Sequence, residues 1–180
     1  MAKKPKVAPI YFDANDPEYG HLSDFFPSPF IAPFAGNHVL FKTVAHYYYA
    51  HATKSKKFRA KIINAADAAK ARYWASVKAG CPQNEEFSDQ GYKEEILTKA
   101  LGYKYMNNRS LNMLLRATGT ARLIYRAPWD DVLGNGKDGK GLNLLGIYLE
   151  RVREFETGET KPIKQMEIQP VKVYEVEKND

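Results

Sequence analysis

The spacing of apolar residues predicts a chain built largely from amphipathic helices. The clearest helix should begin after Asp89, whose short acidic side chain can cap it. Tyr92, Ile96 and Ala100 follow at four-residue spacing beside Leu97 and Leu101, and therefore share one helical face. Asn107 and Asn108 should end the helix. Comparable spacing and capping residues predict further helices over residues 43–53, 56–63, 67–78, 110–117 and 143–155.

Short runs of β-branched and aromatic residues predict three strands, at Ile10–Phe12, Val39–Phe41 and Ala121–Arg126. The segment Leu22–Phe34 alternates Phe with Pro and Ser, a pattern too irregular for a helix, and we expect it to be extended over packed aromatic rings. Because the predicted helices outnumber the strands, the sequence indicates an α+β fold: a single helix-rich domain with a small β-sheet.

Length and composition agree with one folded core. The chain has 180 residues, of which 44% are hydrophobic and 13% aromatic, so wholesale disorder is excluded. We expect a flexible N-terminus over residues 1–9, a domain over residues 10–157 and an extended C-terminal appendage over residues 158–180. Within that appendage, Val171–Val176 has the character of a strand.

The sequence favours a soluble protein of a reducing compartment. The longest run without Asp, Glu, Lys or Arg, Phe25–Phe41, is broken by three prolines and so does not suit a membrane-spanning helix. The first residues contain no apolar stretch typical of a secretory signal. Because Cys81 is the single cysteine, no internal disulfide can form. We therefore expect the cytoplasm, or the nucleus, and no membrane partner.

The positive charge is concentrated in one segment. The net charge is +6, and residues 54–72, here called the basic segment, contain one acidic residue, Asp67. Its basic residues are Lys54, Lys56, Lys57, Arg59, Lys61, Lys70 and Arg72. Such a segment can attract nucleic acid by releasing counterions, or it can be an ordinary solvated helix face.

The most unusual stretch is the glycine-rich loop, residues 134–141, with the sequence Gly-Asn-Gly-Lys-Asp-Gly-Lys-Gly. It formally matches two nucleotide-binding patterns. A P-loop, however, needs Ser or Thr after Lys140, where this chain has Gly141, and too little chain follows for a dinucleotide-binding βαβ unit. Two readings remain: a loop whose backbone N–H groups cradle a phosphate before a helix, or a flexible turn.

Acidic and imidazole side chains supply the other candidate chemistry. Asp130 and Asp131 adjoin Trp129, so one carboxyl group can have a perturbed pKa, although helix or turn capping would explain the pair equally well. His46 and His51 are five residues apart and would point about 140° away from each other on a helix. They therefore offer no shared metal face, and we expect no metal site.

Four separated motifs follow one another between Ile10 and Glu154. They are Tyr19-Gly20-x-Leu22-Ser23-x-Phe25, Thr43-Val44-x-His46-Tyr47-Tyr48, Ala117-Thr118-Gly119, and Gly134-x-Gly136-x-x-Gly139-Lys140-Gly141-x-Asn143-x-Leu145-Gly146. In this order they resemble the NADAR family, named for proposed links to NAD and ADP-ribose. Its bacterial members include an N-glycosidase that acts on riboflavin-pathway intermediates.

The resemblance implies cleavage of an N-glycosidic bond between a ribose and a base, including removal of ADP-ribose from modified guanine in nucleic acid or nucleotides. It implies no cofactor. Asp130 would orient or polarise the ribose. The implied ligand-binding residues are Tyr19, Gly20, Ser23, Phe25, His46, Tyr47, Trp129, Gly134, Asn135, Gly136, Gly139, Lys140, Gly141 and Asn143.

Two departures from the family pattern bear on catalysis. Ala45 stands where the family has Glu, a general acid or base, and Ala52 stands where it often has Lys, which can form a Schiff base with a sugar carbonyl. On one helix these catalytic positions would lie two turns apart on the same face. Asp89 lies near a family Trp. Either both alanines occur naturally in a subfamily that uses other groups, or one of them is an engineered substitution, for which Ala52 is the better candidate.

Three hypotheses follow. The chain is an ADP-ribosyl glycosidase, disabled if the alanines are at catalytic positions; a non-catalytic ADP-ribose reader; or an N-glycosidase of riboflavin-pathway intermediates.

Overall fold

The computed structural model describes residues 7–155. They fold into six α-helices and two pairs of strands, which confirms a helix-rich α+β fold. The strands are β1 (Ile10–Phe12), β2 (Phe30–Phe34), β3 (Asn37–Phe41) and β4 (Leu123–Tyr125). The helices are α1 (Val44–Ala50), α2 (Lys56–Ile63), α3 (Ala68–Trp74), α4 (Gln90–Asn107), α5 (Arg109–Ala117) and α6 (Leu144–Phe155). The strand expected at Val171–Val176 lies outside the described residues.

These residues cluster into two compact units. One comprises residues 7–23 and 109–155, and the other residues 24–108. None of the helices within residues 7–155 combines the length and apolar character needed to cross a membrane.

In the unit of residues 24–108, β2 and β3 form an antiparallel hairpin with Phe30 opposite Phe41. Its two-residue turn, Ala35 and Gly36, has φ angles of 49° and 79°, the positive values that a type I′ turn requires. The predicted extended segment thus ends in a strand that the pattern did not specify, because the turn lacks the usual Asn-Gly sequence. Helix α1 packs against α2, α3 and α4.

Helix α1 begins as predicted and ends early. The Thr43 hydroxyl accepts the His46 N–H at the start of the helix. The helix ends at Ala50, three residues before the expected end at Thr53, and Asn84 shows why. Its side-chain amide donates to the His51 carbonyl (3.1 Å), and its backbone N–H donates to the Ala52 carbonyl (2.8 Å). Asn84 therefore fixes the chain after Ala50 in a turn, because it bonds two carbonyls that lie beyond the last helical hydrogen bond.

The caps of α3 and α4 are those expected from the sequence. Asp67 accepts the Lys70 N–H (2.7 Å) and Asp89 accepts the Tyr92 N–H (2.7 Å). Helix α3 ends at Trp74, short of the predicted Lys78, and a 3₁₀ turn at Val77–Ala79 follows. The buried face of α4 contains the residues expected there, Ile96, Leu97, Ala100 and Leu101.

In the other unit, β1 and β4 pair in parallel, and α6 packs on β4. The second edge of β4 is paired by side chains. Glu150 accepts the Leu123 N–H (2.8 Å), and Asn143 both accepts the Tyr125 N–H (2.8 Å) and donates to the Leu123 carbonyl (2.9 Å). The buried second edge of β4 is thereby satisfied without a third strand.

Candidate functional site

Position 45 lies in the first turn of α1 and is completely buried. The Ala45 N–H donates to the backbone carbonyl of Asp24 (3.0 Å), and Asp24 itself is 2% exposed. A Glu at this position would therefore be surrounded by protein, where its protonation state is sensitive to neighbours. Alanine leaves this enclosed position without an acid or base.

Position 52 is also buried, with Ala52 3% exposed, but it does not lie on the same helix as position 45. Because α1 ends at Ala50, Ala52 falls in the turn that follows, and its N–H donates to the Tyr49 carbonyl (3.0 Å). The expectation that positions 45 and 52 lie two turns apart on one helix is therefore wrong, because α1 ends where Asn84 bonds the following turn. A lysine at position 52 would extend from this turn.

A buried amine near Asp24 was missed by the sequence analysis. Lys104 on α4 is fully buried, which lowers the pKa of its ammonium to about 7 although the Asp24 carboxylate opposes the shift. Its Nζ lies 5.7 Å from the centre of the Phe26 ring and 5.3 Å from that of Tyr105. A signal was present, because Lys104 extends the four-residue spacing of Ile96 and Ala100 on the inward face of α4.

His46, predicted as a ligand contact, is held by the protein through both ring nitrogens. Thr43 Oγ1 already accepts the His46 backbone N–H (3.2 Å), so the hydroxyl proton points to Nδ1 (2.8 Å). Nε2 then carries the proton and donates to the Ala65 carbonyl (3.3 Å). Burial lowers the pKa of His46, which keeps the ring neutral in this role. His46 thus fixes the start of α1.

Tyr47 lies in a cluster of aromatic rings. It is 3% exposed, and its ring lies 5.0 Å from Phe41 and 6.0 Å from Tyr103, centre to centre. Burial raises the pKa of its phenol to about 12, so the hydroxyl stays protonated. The Tyr47 ring is also 4.8 Å from the ring of His51.

His51 is the second residue that the sequence analysis did not assign to the site. Its Nδ1 is hydrogen-bonded to the Tyr92 hydroxyl (3.2 Å), while its Nε2 is buried and has no hydrogen-bond partner among residues 7–155. The Phe34 ring packs edge-on against it at 5.0 Å. His51 directly precedes Ala52, the position where the family often has a catalytic Lys. A buried polar atom without a hydrogen bond, such as Nε2 here, is rare in protein cores.

The pH dependence of folding should report the burial of His51. Burial, followed by the charges of Arg59 and Lys99, lowers its pKa from 6.5 to about 4. Between these values the unfolded chain binds a proton that the folded chain does not, so stability is full above pH 6.5 and falls as the pH drops towards 4, by up to about 3 kcal/mol. Urea unfolding at pH 7, 5.5 and 4 measures the loss.

Carboxyl groups also titrate in this range, so the decisive quantity is a difference between two proteins. His51→Gln should lose markedly less stability on acidification than the unchanged chain. Equal losses would mean that His51 is no source of the pH dependence.

The basic segment is not uniform. Lys56 and Lys57 are exposed, as the solvated-face reading requires. Arg59 is half-buried: its Nε donates to the Thr53 carbonyl (2.8 Å), and its guanidinium lies 5.0 Å from the centre of the Phe34 ring. Arg59 therefore belongs to the packing around His51, whereas the exposed lysines of the segment, Lys56, Lys57 and Lys70, are available to a polyanion.

In the unit of residues 7–23 and 109–155, the glycine-rich loop is tied to itself. The N–H of Gly141 donates to the Asn135 carbonyl (2.8 Å), and that of Asn143 to the Gly134 carbonyl (2.9 Å). Gly134 is required by close packing, because a Cβ there would collide with the Cβ of Ala127. Gly136, with φ of 66°, packs against the Asp131 carboxylate. The loop is a folded turn, and much of its donor capacity is used internally.

Asn135 and Asn143 serve that turn with their side chains. Asn135 Oδ1 accepts the Ala127 N–H (3.2 Å), and both amide atoms of Asn143 pair with β4, as described above. Asn143 has φ of 52°, a left-handed conformation that asparagine tolerates better than most residues. These amides hold the loop against the strand.

Three of the predicted contact residues remain accessible in this unit. Trp129 is 57% exposed, and Gly139 and Lys140 are exposed at the tip of the loop. The Lys140 ammonium is paired only loosely with Asp138 (3.6 Å), so it can meet an anion. Asp130 is half-buried, and its Oδ1 accepts the N–H groups of Val132 (2.9 Å) and Leu133 (2.8 Å). Asp130 caps a turn, the alternative considered from the sequence.

Gly20 begins a 3₁₀ turn, Gly20–Leu22, and Tyr19 and Ser23 flank it. The Tyr19 N–H donates to the Asp16 carboxylate (2.8 Å), and this bond is the main cause of the lowered pKa of Asp16. Arg126 pairs with the same carboxylate (2.9 Å) and thereby ties the loop that carries Tyr19. Ser23 is fully buried.

Phe25, the last ligand residue predicted from the first motif, belongs to the other unit. It is half-buried and lines an open groove beside α3. Across residues 7–155, no group of three or more His, Cys, Asp or Glu side chains is arranged to hold a metal ion.

Comparison with known proteins identifies the class. The solution structure of the E. coli protein YbiA superposes with a TM-score of 0.70 at 28% sequence identity, covering 84% of this chain and 86% of that one. The N-glycosidase YbiA of Shigella flexneri serotype 5b (strain 8401) is 31% identical over 81% of this chain and 86% of its own length. The N-glycosidase Npun_R5314 of Nostoc punctiforme is 31% identical over 81% and 90%.

The riboflavin biosynthesis protein VVA0006 of Vibrio vulnificus is 30% identical over 81% of this chain, but the match covers 38% of that longer protein. The NADAR domain matches residues 10–155. The chain therefore belongs to the NADAR domain family. The family and the enzyme class predicted from the order of the motifs, a glycosidase acting on N-glycosyl compounds, are thereby confirmed.

Proposed function

We propose that this chain removes ADP-ribose from modified guanine in nucleic acid or nucleotides, and that Ala45 and Ala52 make its turnover slow. The observation that supports this substrate best is the charge of the basic segment. Lys56 and Lys57 at the start of α2 are exposed, and Lys54 is exposed but pairs with Glu86 (3.3 Å). Helix α2 packs against α1, the helix that carries position 45. A cluster of accessible cations favours a polyanionic substrate over a small heterocyclic one.

A second candidate function is favoured by the two alanines. A protein that lacks both the family Glu and the family Lys can bind ADP-ribose without cleaving its bond, as a reader. A third candidate takes its support from the relatives named riboflavin biosynthesis proteins. A riboflavin-pathway substrate needs no site for a diphosphate.

Titration calorimetry with free ADP-ribose tests the proposal. We expect one saturable site, with AMP as the control for the nucleoside half of the ligand. Absence of binding at millimolar ADP-ribose would reject both the glycosidase and the reader. Saturable binding of a riboflavin-pathway intermediate that ADP-ribose does not displace would favour the third candidate.

The exposed lysines should matter for a nucleic-acid substrate and not for the free nucleotide. Changing Lys56 and Lys57 to Glu should weaken binding of an ADP-ribosylated oligonucleotide by about tenfold at low salt and reduce its salt dependence, because contacts to phosphate are lost. Fluorescence anisotropy measures this effect. Arg59 is left unchanged, since its contacts with Thr53 and Phe34 support the fold.

The matched control reverses two exposed arginines on α5, Arg109→Glu with Arg116→Glu. This control should affect binding much less. If the Lys56/Lys57 variant lost affinity for free ADP-ribose equally, these lysines would serve the diphosphate or the fold instead.

A further inference from the structure

Helices α2 and α3 together present a surface on which aromatic rings and lysines alternate. The Lys61 ammonium lies 4.4 Å from the centre of the Trp74 ring and 5.2 Å from that of Phe58. The Lys70 ammonium lies 4.8 Å from the Tyr73 ring and 5.1 Å from the Trp74 ring. The cations are therefore held beside flat apolar faces instead of being dispersed in solvent.

An open groove of about 290 Å³ adjoins this surface. It is lined by Phe25, Ala69, Arg72, Tyr73 and Ser76. Its volume is at the small end of the range for pockets that hold small ligands, so it has room for one planar group. Tyr73 remains 44% exposed, which leaves much of its ring area available for a further contact.

The charge of this surface selects an anionic occupant. Asp67 is the one acidic residue between positions 54 and 78, and its carboxylate caps α3 through the Lys70 N–H. Arg72 lies in the groove itself, next to Tyr73. The tyrosine ring can stack on a base, while the guanidinium beside it and the neighbouring Lys70 can meet phosphates.

We propose that the α2–α3 surface binds single-stranded nucleic acid, with one base inserted between Phe25 and Tyr73 and with Arg72 and Lys70 on the adjoining phosphates. The proposal deepens the proposed function, on which it rests, because this strand would flank the modified guanine. Single strands are favoured because an unpaired base can enter a groove of this size, whereas a base in a duplex is already stacked on its neighbours.

Fluorescence anisotropy of the full chain with an unmodified single-stranded oligonucleotide of 12 nucleotides tests this inference. Tyr73→Ala should weaken binding by about tenfold, the size expected for one stacked base. Tyr73→Phe, which keeps the ring, should bind nearly as well as the unchanged chain. Tyr73→Leu, which keeps apolar area without the flat ring, should behave like the alanine variant. Arg72→Ala should lower the slope of affinity against salt by about one phosphate contact.

Duplex DNA of the same sequence and polyglutamate are the competitors, and circular dichroism checks that each variant is folded. Both competitors should displace the single strand poorly. Equal competition by polyglutamate, with no effect of Tyr73→Ala, would overturn the proposal in favour of an acidic peptide. Equal binding of duplex would mean that only phosphates are contacted. Because the oligonucleotide is unmodified, a failure here is separate from a failure of the glycosidase proposal.

Discussion

Changing Ala45 to Glu and Ala52 to Lys in the same chain should raise the rate of ADP-ribose release from ADP-ribosylated guanosine by at least about 100-fold, the lower range for a positioned acid or base. The Glu would supply proton transfer to the leaving base, and the Lys would supply a nucleophile. Each single substitution should give a smaller gain. Chromatographic detection of free ADP-ribose measures the rate.

Both alanines are buried, so the larger side chains must be accommodated, at a cost of about 1–3 kcal/mol in stability. Ala45→Gln and Ala52→Met are the matched controls, because they add similar volume without the carboxylate or the amine. They should fold and remain nearly inactive. If no variant releases ADP-ribose while all still bind it, the glycosidase reading fails and the reader is favoured.

The Ala52→Lys variant should also be trapped covalently by borohydride added during turnover. Burial lowers the pKa of an amine, so part of it is neutral and can attack C1 of the ring-opened ribose. The guanine then leaves C1, taking a proton on the nitrogen that held it, and the imine that remains between the lysine and C1 is reduced by hydride to a stable secondary amine. Intact-protein mass spectrometry should show one added ADP-ribose group on nearly every molecule.

Lys104 needs its own control in this experiment, because it is a buried amine with a pKa of about 7. The adduct should persist in Ala52→Lys combined with Lys104→Met and should be missing from Ala52→Met. Activity without any trapped adduct would indicate direct hydrolysis that does not pass through a lysine adduct. Full activity in the unchanged chain would remove position 52 from the mechanism.

Local sequence was sufficient where the determinants are local. The caps formed by Asp67 and Asp89 lie within three residues of the N–H groups they accept, and both were predicted. The early end of α1 was not predictable in this way, because Asn84 acts on it from 33 positions away. Likewise, the hydrogen-bond partner of His51 Nδ1 is Tyr92, which lies 41 positions further along the chain.

The glycine-rich loop illustrates the same limit for the site. Its composition indicated an anion cradle or a turn, and the choice depends on where its N–H groups point. Asn143, predicted as a ligand contact, uses both polar atoms of its side-chain amide in hydrogen bonds to β4, a strand about 20 residues earlier. Ala45, Ala52 and the four motifs could be located from the sequence, because they depend only on the order of residues along the chain. The residues that contact His46 and Lys104 could be identified only from the fold.

The most direct test of the account is a product analysis with a single-stranded oligonucleotide that carries ADP-ribose on one guanine. The chain and its Ala45→Glu/Ala52→Lys variant are incubated with it, and the products are separated and weighed by mass spectrometry. We expect free ADP-ribose and an oligonucleotide with its guanine restored, formed slowly by the unchanged chain and much faster by the variant. An oligonucleotide that stays fully modified with both proteins, or one that loses AMP while ribose phosphate stays on the guanine, would contradict it.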